Sequence, residues 1–270
     1  MPAPQRRMDS PRRRVFAVFA IFAVFALVGR AVRADQITVL TSGGFAAPLH
    51  DLAPQIERSA KVSVVLTEGA TVANGPESIP ARLERGDRVD VVVMAASALD
   101  DLIKAGRIRP GSRVDLARSG IGVAVRAGAR KPDISSVDAL RRALLEAKSV
   151  AYSSSISGVY LAAELFPRLG IADEMREKSR RIDRERVAAV VARGEAEIGF
   201  QQISELLPVA GIEYVGPLPA EVQRTTVFAA GIAAASADPV RARAVIAFLA
   251  SSAARAVITK SGLDPIARAK

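Results

Sequence analysis

The run Val89-Asp90-Val91-Val92-Val93-Met94 constrains this chain more than any other feature. It holds one polar residue and does not alternate. A strand built from it must be covered on both faces, as a central parallel strand is between helical layers. Its surroundings fit that setting. Residues 36–40 (QITVL) are β-rich, Thr41-Ser42-Gly43-Gly44 turns the chain, and 46–59 reads as a helix. A second strand at 61–66 (KVSVVL) is followed by a Gly/Asn/Pro loop at 68–77 and a helix at 78–85. After the apolar run, 99–105 forms a helix stopped by Gly106. Strands alternating with helices predict an α/β layered fold.

A second series begins at 121–126 (IGVAVR). Ser135-Ser136-Val137-Asp138 has the spacing of a helix N-terminus ahead of a helix at 139–148. A short strand at 150–152, the polar loop 153–158 and a helix at 159–169 come next. The mixed-charge segment 176–186 (REKSRRIDRER) reads as a solvated helix-and-turn face. A helix at 187–193, strands at 196–200, 211–215 and 226–234, and a helix at 240–250 opened by Asp238-Pro239 complete the series. The last strand can return to the first series. The expectation is therefore two lobes: 35–118 with 226–270 as lobe 1, and 119–225 as lobe 2. A hinge falls near Arg118–Ser119 and Gln223–Thr226. Ligands of open α/β sheets sit outside the carboxyl ends of the strands, here in the cleft between lobes.

The formal charge of +10 points at first to a nucleic-acid or membrane-surface binder. Residues 1–34, however, hold seven arginines against Asp9, leaving only +4 for the rest, and no nucleic-acid partner is expected. Arg12-Arg13-Arg14, a 14-residue apolar run at 15–28 and small residues at 32–34 describe a secretory signal peptide over 1–34. The run is shorter than the roughly 20 residues of a spanning helix. An uncleaved anchor is the alternative, and Arg13-Arg14-Val15-Phe16 also fits a twin-arginine signal. The mature chain is expected in the periplasm or outside the cell. With no Cys, a single His50 and no Trp, disulfide scaffolds, thiol nucleophiles, zinc sites and stacking platforms are excluded.

Two loops carry the chemistry of an anion site. Ser42-Gly43-Gly44 and the Ser-rich segment with Ser155, Ser157 and Gly158 each stand between a strand and a helix, where free N–H groups and hydroxyls converge. Plain helix capping explains either loop equally well. Neither matches a nucleotide-binding motif. His50 beside Asp51 reads as solvated, and no catalytic residue, metal or cofactor is expected.

Laid out whole, residues 36–265 resemble the molybdate-type extracellular solute-binding proteins of ABC importers. The resemblance rests on ITVLTSGGFAAPLHDLAP, LERGDRVDVVVMAASALDDLIKAGRI, VVARGEAEIGFQQISELL and DPVRARAVIAFLASSAARAVITKSGLDP, in that order and spacing. It implies a type II periplasmic-binding-protein fold that holds an oxyanion without catalysis, acts as a monomer and serves an ABC permease at the cytoplasmic membrane. The carry-over is imperfect. The family's first cleft Ser falls at Gly44, its second within 70–77, which contains Thr71 and Asn74, and its cleft Tyr at Gln202 beside Gln201. A backbone-donating position falls near Arg184. These departures suit a larger planar ligand, since Arg can pair with a carboxylate through two parallel bonds. An organic di- or tricarboxylate is expected as much as molybdate or tungstate. A secreted enzyme acting on a carboxylate is the alternative from another class.

Overall fold

The computed structural model describes residues 36–71, 75–183 and 185–267. The expected export segment lies outside them, as do Asn74 and Arg184.

The chain opens with β1 (Gln36–Thr41), β2 (Ser63–Glu68), β3 (Val91–Ala95) and β4 (Val114–Ser119). It continues through β5 (Ile121–Arg126), β6 (Val150–Ser153), β7 (Ser179–Ile182), β8 (Ile198–Gln202) and β9 (Ile212–Pro217), then β10 (Thr226–Ile232) and β11 (Asp264–Pro265). Two sheets result, ordered β11-β4-β10-β3-β1-β2 and β7-β6-β8-β5-β9. The α/β expectation holds.

β3 occupies the central place that its apolar run demanded. It pairs in parallel with β1 (Val39 opposite Val91) and antiparallel with β10 (Ala230 opposite Val93). The returning β10 therefore makes the sheet mixed rather than parallel. Val91 and Val93 enter one core with Phe45, Leu49 and Val245. Val92 and Met94 enter another with Leu99 and Ile108. That division follows the two-residue period of a strand. Asp90, the polar member of the run, is buried but satisfied, accepting from Thr38 N at 3.0 Å and Ser236 Oγ at 2.7 Å.

In the second sheet β6 runs parallel to β7 and β8, and β5 antiparallel to β8 and β9. Two strands differ from expectation. β4 (VDLARS) carries too many polar residues to stand out. β7 (SRRI) lies inside the basic segment expected as helix and turn. It is an edge strand whose arginines point to solvent, a composition that discourages edge-to-edge pairing.

Between the sheets the chain passes from β4 to β5 through Gly120 alone. The Gln223 amide pins this crossing. Its Oε1 accepts from Ile121 N at 2.8 Å and its Nε2 donates to Ile121 O at 3.0 Å.

Candidate functional site

A cleft of about 120 Å³ opens at the carboxyl ends of β1, β6 and β8. It is lined by Ser42–Gly44 and Gly69–Thr71 on one side and by Ser153–Ser157, Gln201, Gln202 and Glu205 on the other. Thr226 and Phe228 form its floor together with Ala95.

The first wall is set by helix geometry. The helix Gly43–Ala60 starts directly after β1, three residues earlier than expected, because the two glycines enter its first turn. Its leading N–H groups thereby face the cleft. Ser42 is buried, makes no side-chain cap, and its Oγ has no hydrogen-bond partner. A buried hydroxyl without a partner costs about 1–3 kcal/mol, and this one lines the cleft. Gly44 is sterically required, and Gly43 leaves room for a neighbouring carboxyl. A Cβ on Gly44 would lie 2.2 Å from Phe228 Cζ, and one on Gly43 would lie 2.4 Å from Glu205 Oε1. Where the resemblance puts an oxyanion-binding Ser, at Gly44, the Phe228 ring fills the space.

The opposite wall is a cluster of hydroxyls. Ser153 Oγ lies 2.7 Å from Ser155 Oγ, and Ser155 Oγ lies 3.0 Å from Ser157 Oγ. They stand at the start of the helix Ile156–Tyr160, which continues through a π-helical turn, Leu161–Leu165, into Phe166–Arg168. Ser155, its N-cap residue, gives no side-chain cap. Gly158 does not line the cleft. It lies behind the cluster, where a Cβ would come within 1.5 Å of Ser153 O, so it lets the loop close on the helix.

At the end of β8 both glutamines are buried. Gln201 Nε2 donates to Glu205 Oε1 at 3.1 Å, while Gln201 Oε1 has no partner. Gln202 is best satisfied with its amide nitrogen toward Ser119 Oγ (3.1 Å) and Gly120 O (3.2 Å). Its oxygen then accepts from Thr226 Oγ1 at 2.9 Å. Its polar atoms are thus directed at the crossing between the sheets as well as the cleft floor. Of the site residues named from sequence, the structure brings Ser42, Gly43, Gly44, Thr71, Ser155, Ser157, Gln201 and Gln202 to one cleft. Asn74 and Arg184 lie outside the described residues. His50 is exposed, as expected, with Nε2 3.5 Å from Glu68 Oε1.

Glu205 is the residue that sequence reading missed. It sits on the one-turn helix Ile203–Leu206 that follows β8. Ser204 Oγ, its neighbour, donates to Gly44 O at 2.7 Å and locks that turn against the Gly43–Ala60 helix. Burial pushes the Glu205 carboxyl up to about 7, against the lowering effects of Arg186 and the Gln201 hydrogen bond, with Glu68 adding to the rise. The other acids of the lining differ. Glu185 accepts from Arg193 at 2.8 and 3.0 Å, and this pairing lowers its pKa. Asp183 accepts from Arg181 at 2.9 Å.

Comparison with known proteins gives these features a context. A family model described as bacterial extracellular solute-binding protein matches residues 37–264. A protein of Pseudomonas sp named aconitate isomerase is 45% identical over 230 residues, covering 85% of this chain and 88% of its own length. Among solved structures, the Azotobacter vinelandii periplasmic molybdate-binding protein aligns with a TM-score of 0.69 at 22% identity, over 86% of this chain and 100% of its own. The sulfate-binding protein SubI from Mycobacterium tuberculosis H37Rv aligns at 0.68 and 18%, over 86% and 87%. These likenesses bear out the two-lobed type II periplasmic-binding-protein fold.

One expectation is corrected. The sequence reading held that the chain is not an enzyme, but the Pseudomonas relative carries an enzyme's name. Nucleophile triads, carboxylate pairs and metal cages have spacings that a sequence displays. A single carboxyl whose properties come from burial has no such signature. Matched over nearly all of its described length, the chain belongs to the bacterial extracellular solute-binding protein family.

Proposed function

We propose that this chain is an exported isomerase that binds an aconitate-type tricarboxylate in the interlobe cleft and interconverts its cis and trans forms. The observation that carries the reading is the 45% identity, over 85% of the chain, to a protein named aconitate isomerase. The cleft supports it. Hydroxyls at Ser42, Ser153, Ser155 and Ser157 and the N–H groups of two helix starts supply many donors for carboxylate oxygens. The edge of the Phe228 ring against Gly44 takes the hydroxyl position of a tetrahedral-oxyanion cage.

The reaction asks little of the protein. Aconitate is propene-1,2,3-tricarboxylate. Its methylene hydrogens are acidified by the attached carboxylate and by the conjugated double bond. Removing one gives an allylic carbanion spread between two equivalent terminal carbons. Returning a proton at the other end exchanges the methylene and vinyl ends. The new double bond then takes its geometry from the way the methylene arm was held. The enzyme must therefore bind three carboxylates in a fixed conformation and move one proton.

Incubation of the purified protein with cis-aconitate, followed by proton NMR, tests this. Appearance of the trans isomer well above the protein-free rate is expected. Failure to convert either isomer, with calorimetry showing tight molybdate binding instead, would reject it. Family membership favours a second role for the same cleft, delivery of its ligand to an ABC permease of the cytoplasmic membrane. Uptake of labelled tricarboxylate by cells lacking the gene tests that role.

A further inference from the structure

Resting on the isomerase reading, we infer that Glu205 is the catalytic base that takes the proton from one terminal carbon of the bound tricarboxylate and returns it to the other. Four observations lead to it. Glu205 lines the cleft between the two donor walls, and its carboxyl reaches over Gly43, so close that a Cβ there would push it aside. The turn that carries it is fixed to the opposite wall by Ser204 Oγ on Gly44 O at 2.7 Å. Gln201 Nε2 holds one carboxylate oxygen at 3.1 Å, leaving the other available. Among the described residues of the lining, the remaining acids, Asp183 and Glu185, are held by Arg181 and Arg193.

The step balances within the site. A Glu205 carboxylate oxygen forms an O–H bond as the methylene C–H bond breaks, and the electron pair enters the allyl system. The same O–H then breaks as a C–H bond forms at the opposite terminal carbon. The double bond has moved, and Glu205 is a carboxylate again. No oxidant, reductant or water is consumed. Both terminal carbons of an allyl unit lie within reach of one carboxylate on one face, so a single base suffices. The hydroxyl and N–H donors around the substrate carboxylates stabilise the charge that develops on them.

Burial serves this role. A base must be ionised to start the step, yet basic enough to remove a carbon-bound proton, and a carboxyl raised to about 7 meets both conditions near neutral pH. The charged groups around it are Arg186 from the start of the helix Val187–Ala192, Glu68 at the end of β2, and Asp183 and Glu185 on the segment between. His50 reaches only Glu68. A bound trianion adds like charge, so the pKa governing kcat should lie above the one governing kcat/KM.

The test compares wild type with E205Q, which keeps the size and the acceptor for Gln201, and with G43A, which keeps the acid but pushes its carboxyl aside. Folding is checked by circular dichroism and melting. Isomerisation is followed by proton NMR across pH 5–9, and trans-aconitate affinity by calorimetry. For E205Q we expect kcat to fall on the order of 10²–10⁴-fold with affinity changed only a few-fold. For G43A we expect a smaller fall in kcat and a shifted pH profile. An E205Q variant with wild-type kcat and an unchanged profile would overturn the inference while leaving the isomerase reading intact. Should E205Q not fold, unaltered kcat and pH dependence in G43A would overturn it in the same way. A wild type inactive on both isomers rejects the isomerase reading itself, and the inference with it.

Discussion

Glu205→Gln should make the protein more stable, by an amount that grows from about pH 4.5 and levels off near pH 7. The carboxyl is raised by burial from 4.5 to about 7 in the folded state. Unfolded, it ionises at its ordinary value. Between those two pH values the folded protein binds the proton that the unfolded chain releases, so stability falls as pH rises through this window and stays low above it. At about 1.4 kcal/mol for each pH unit, a rise from 4.5 to about 7 amounts to about 3.5 kcal/mol. Part of the side chain faces the open cleft, so solvent screening brings the working figure to about 2 kcal/mol. Glutamine carries no charge and escapes the penalty. Urea denaturation at pH 4 should show little difference between variant and wild type. At pH 8 the variant should gain about 2 kcal/mol, or some 4–8 °C in melting temperature for a chain of this size. An equal gain at both pH values would mean that packing, not ionisation, separates the two. No gain at pH 8 would mean that the carboxyl is solvated and ionises normally, and the physical basis for its role as base would be gone.

Three further perturbations probe other parts of the design. Gly44→Ser places a Cβ 2.2 Å from Phe228 Cζ in a buried setting and should cost about 1–3 kcal/mol by urea denaturation. Combined with Phe228→Ala, the loss should be less than the sum of the two singles, because the second change removes the collision. Ser157→Ala deletes the innermost hydroxyl of the serine cluster, 3.0 Å from Ser155 Oγ, and should weaken trans-aconitate binding by about 1 kcal/mol in calorimetry while kcat changes little. Gln223→Ala removes both bonds to the Ile121 backbone at the sheet crossing. It should cost about 2–3 kcal/mol in the same denaturation assay.

Much of the fold was legible because it depends on local chemistry. The 89–94 run could be satisfied only at the centre of a covered sheet, and β3 lies there between β1 and β10. Gly106 and Gly194 end helices in the left-handed conformation that glycine adopts without strain, which is why those stops could be placed. What escaped notice was structure imposed from outside the segment. β4 pairs with β10, more than a hundred residues away, and its own polar sequence carries no strand pattern. β7 is extended because it lies along β6, although its composition is that of a solvated turn.

The same division runs through the site. Ser42-Gly43-Gly44 and the serine cluster could be found because small and hydroxyl residues between a strand and a helix have a meaning readable in a few positions. Glu205 sits in the sequence Ile-Ser-Glu-Leu, where nothing distinguishes it from any glutamate on a short helix. Its character arises from contacts about 160 residues apart: Ser204 on Gly44 O, and the missing side chain at Gly43 that lets the carboxyl come close. A glycine in the first turn of a helix therefore creates the space for an acid on the other wall, and the enclosure that follows raises its pKa. A solute-binding cleft needs only donors around an anion. Adding one enclosed carboxyl to such a cleft supplies what moving a proton between carbons requires, with no nucleophile or second base. With Glu205 as the base, binding and catalysis in this cleft differ by one residue and the space left for it.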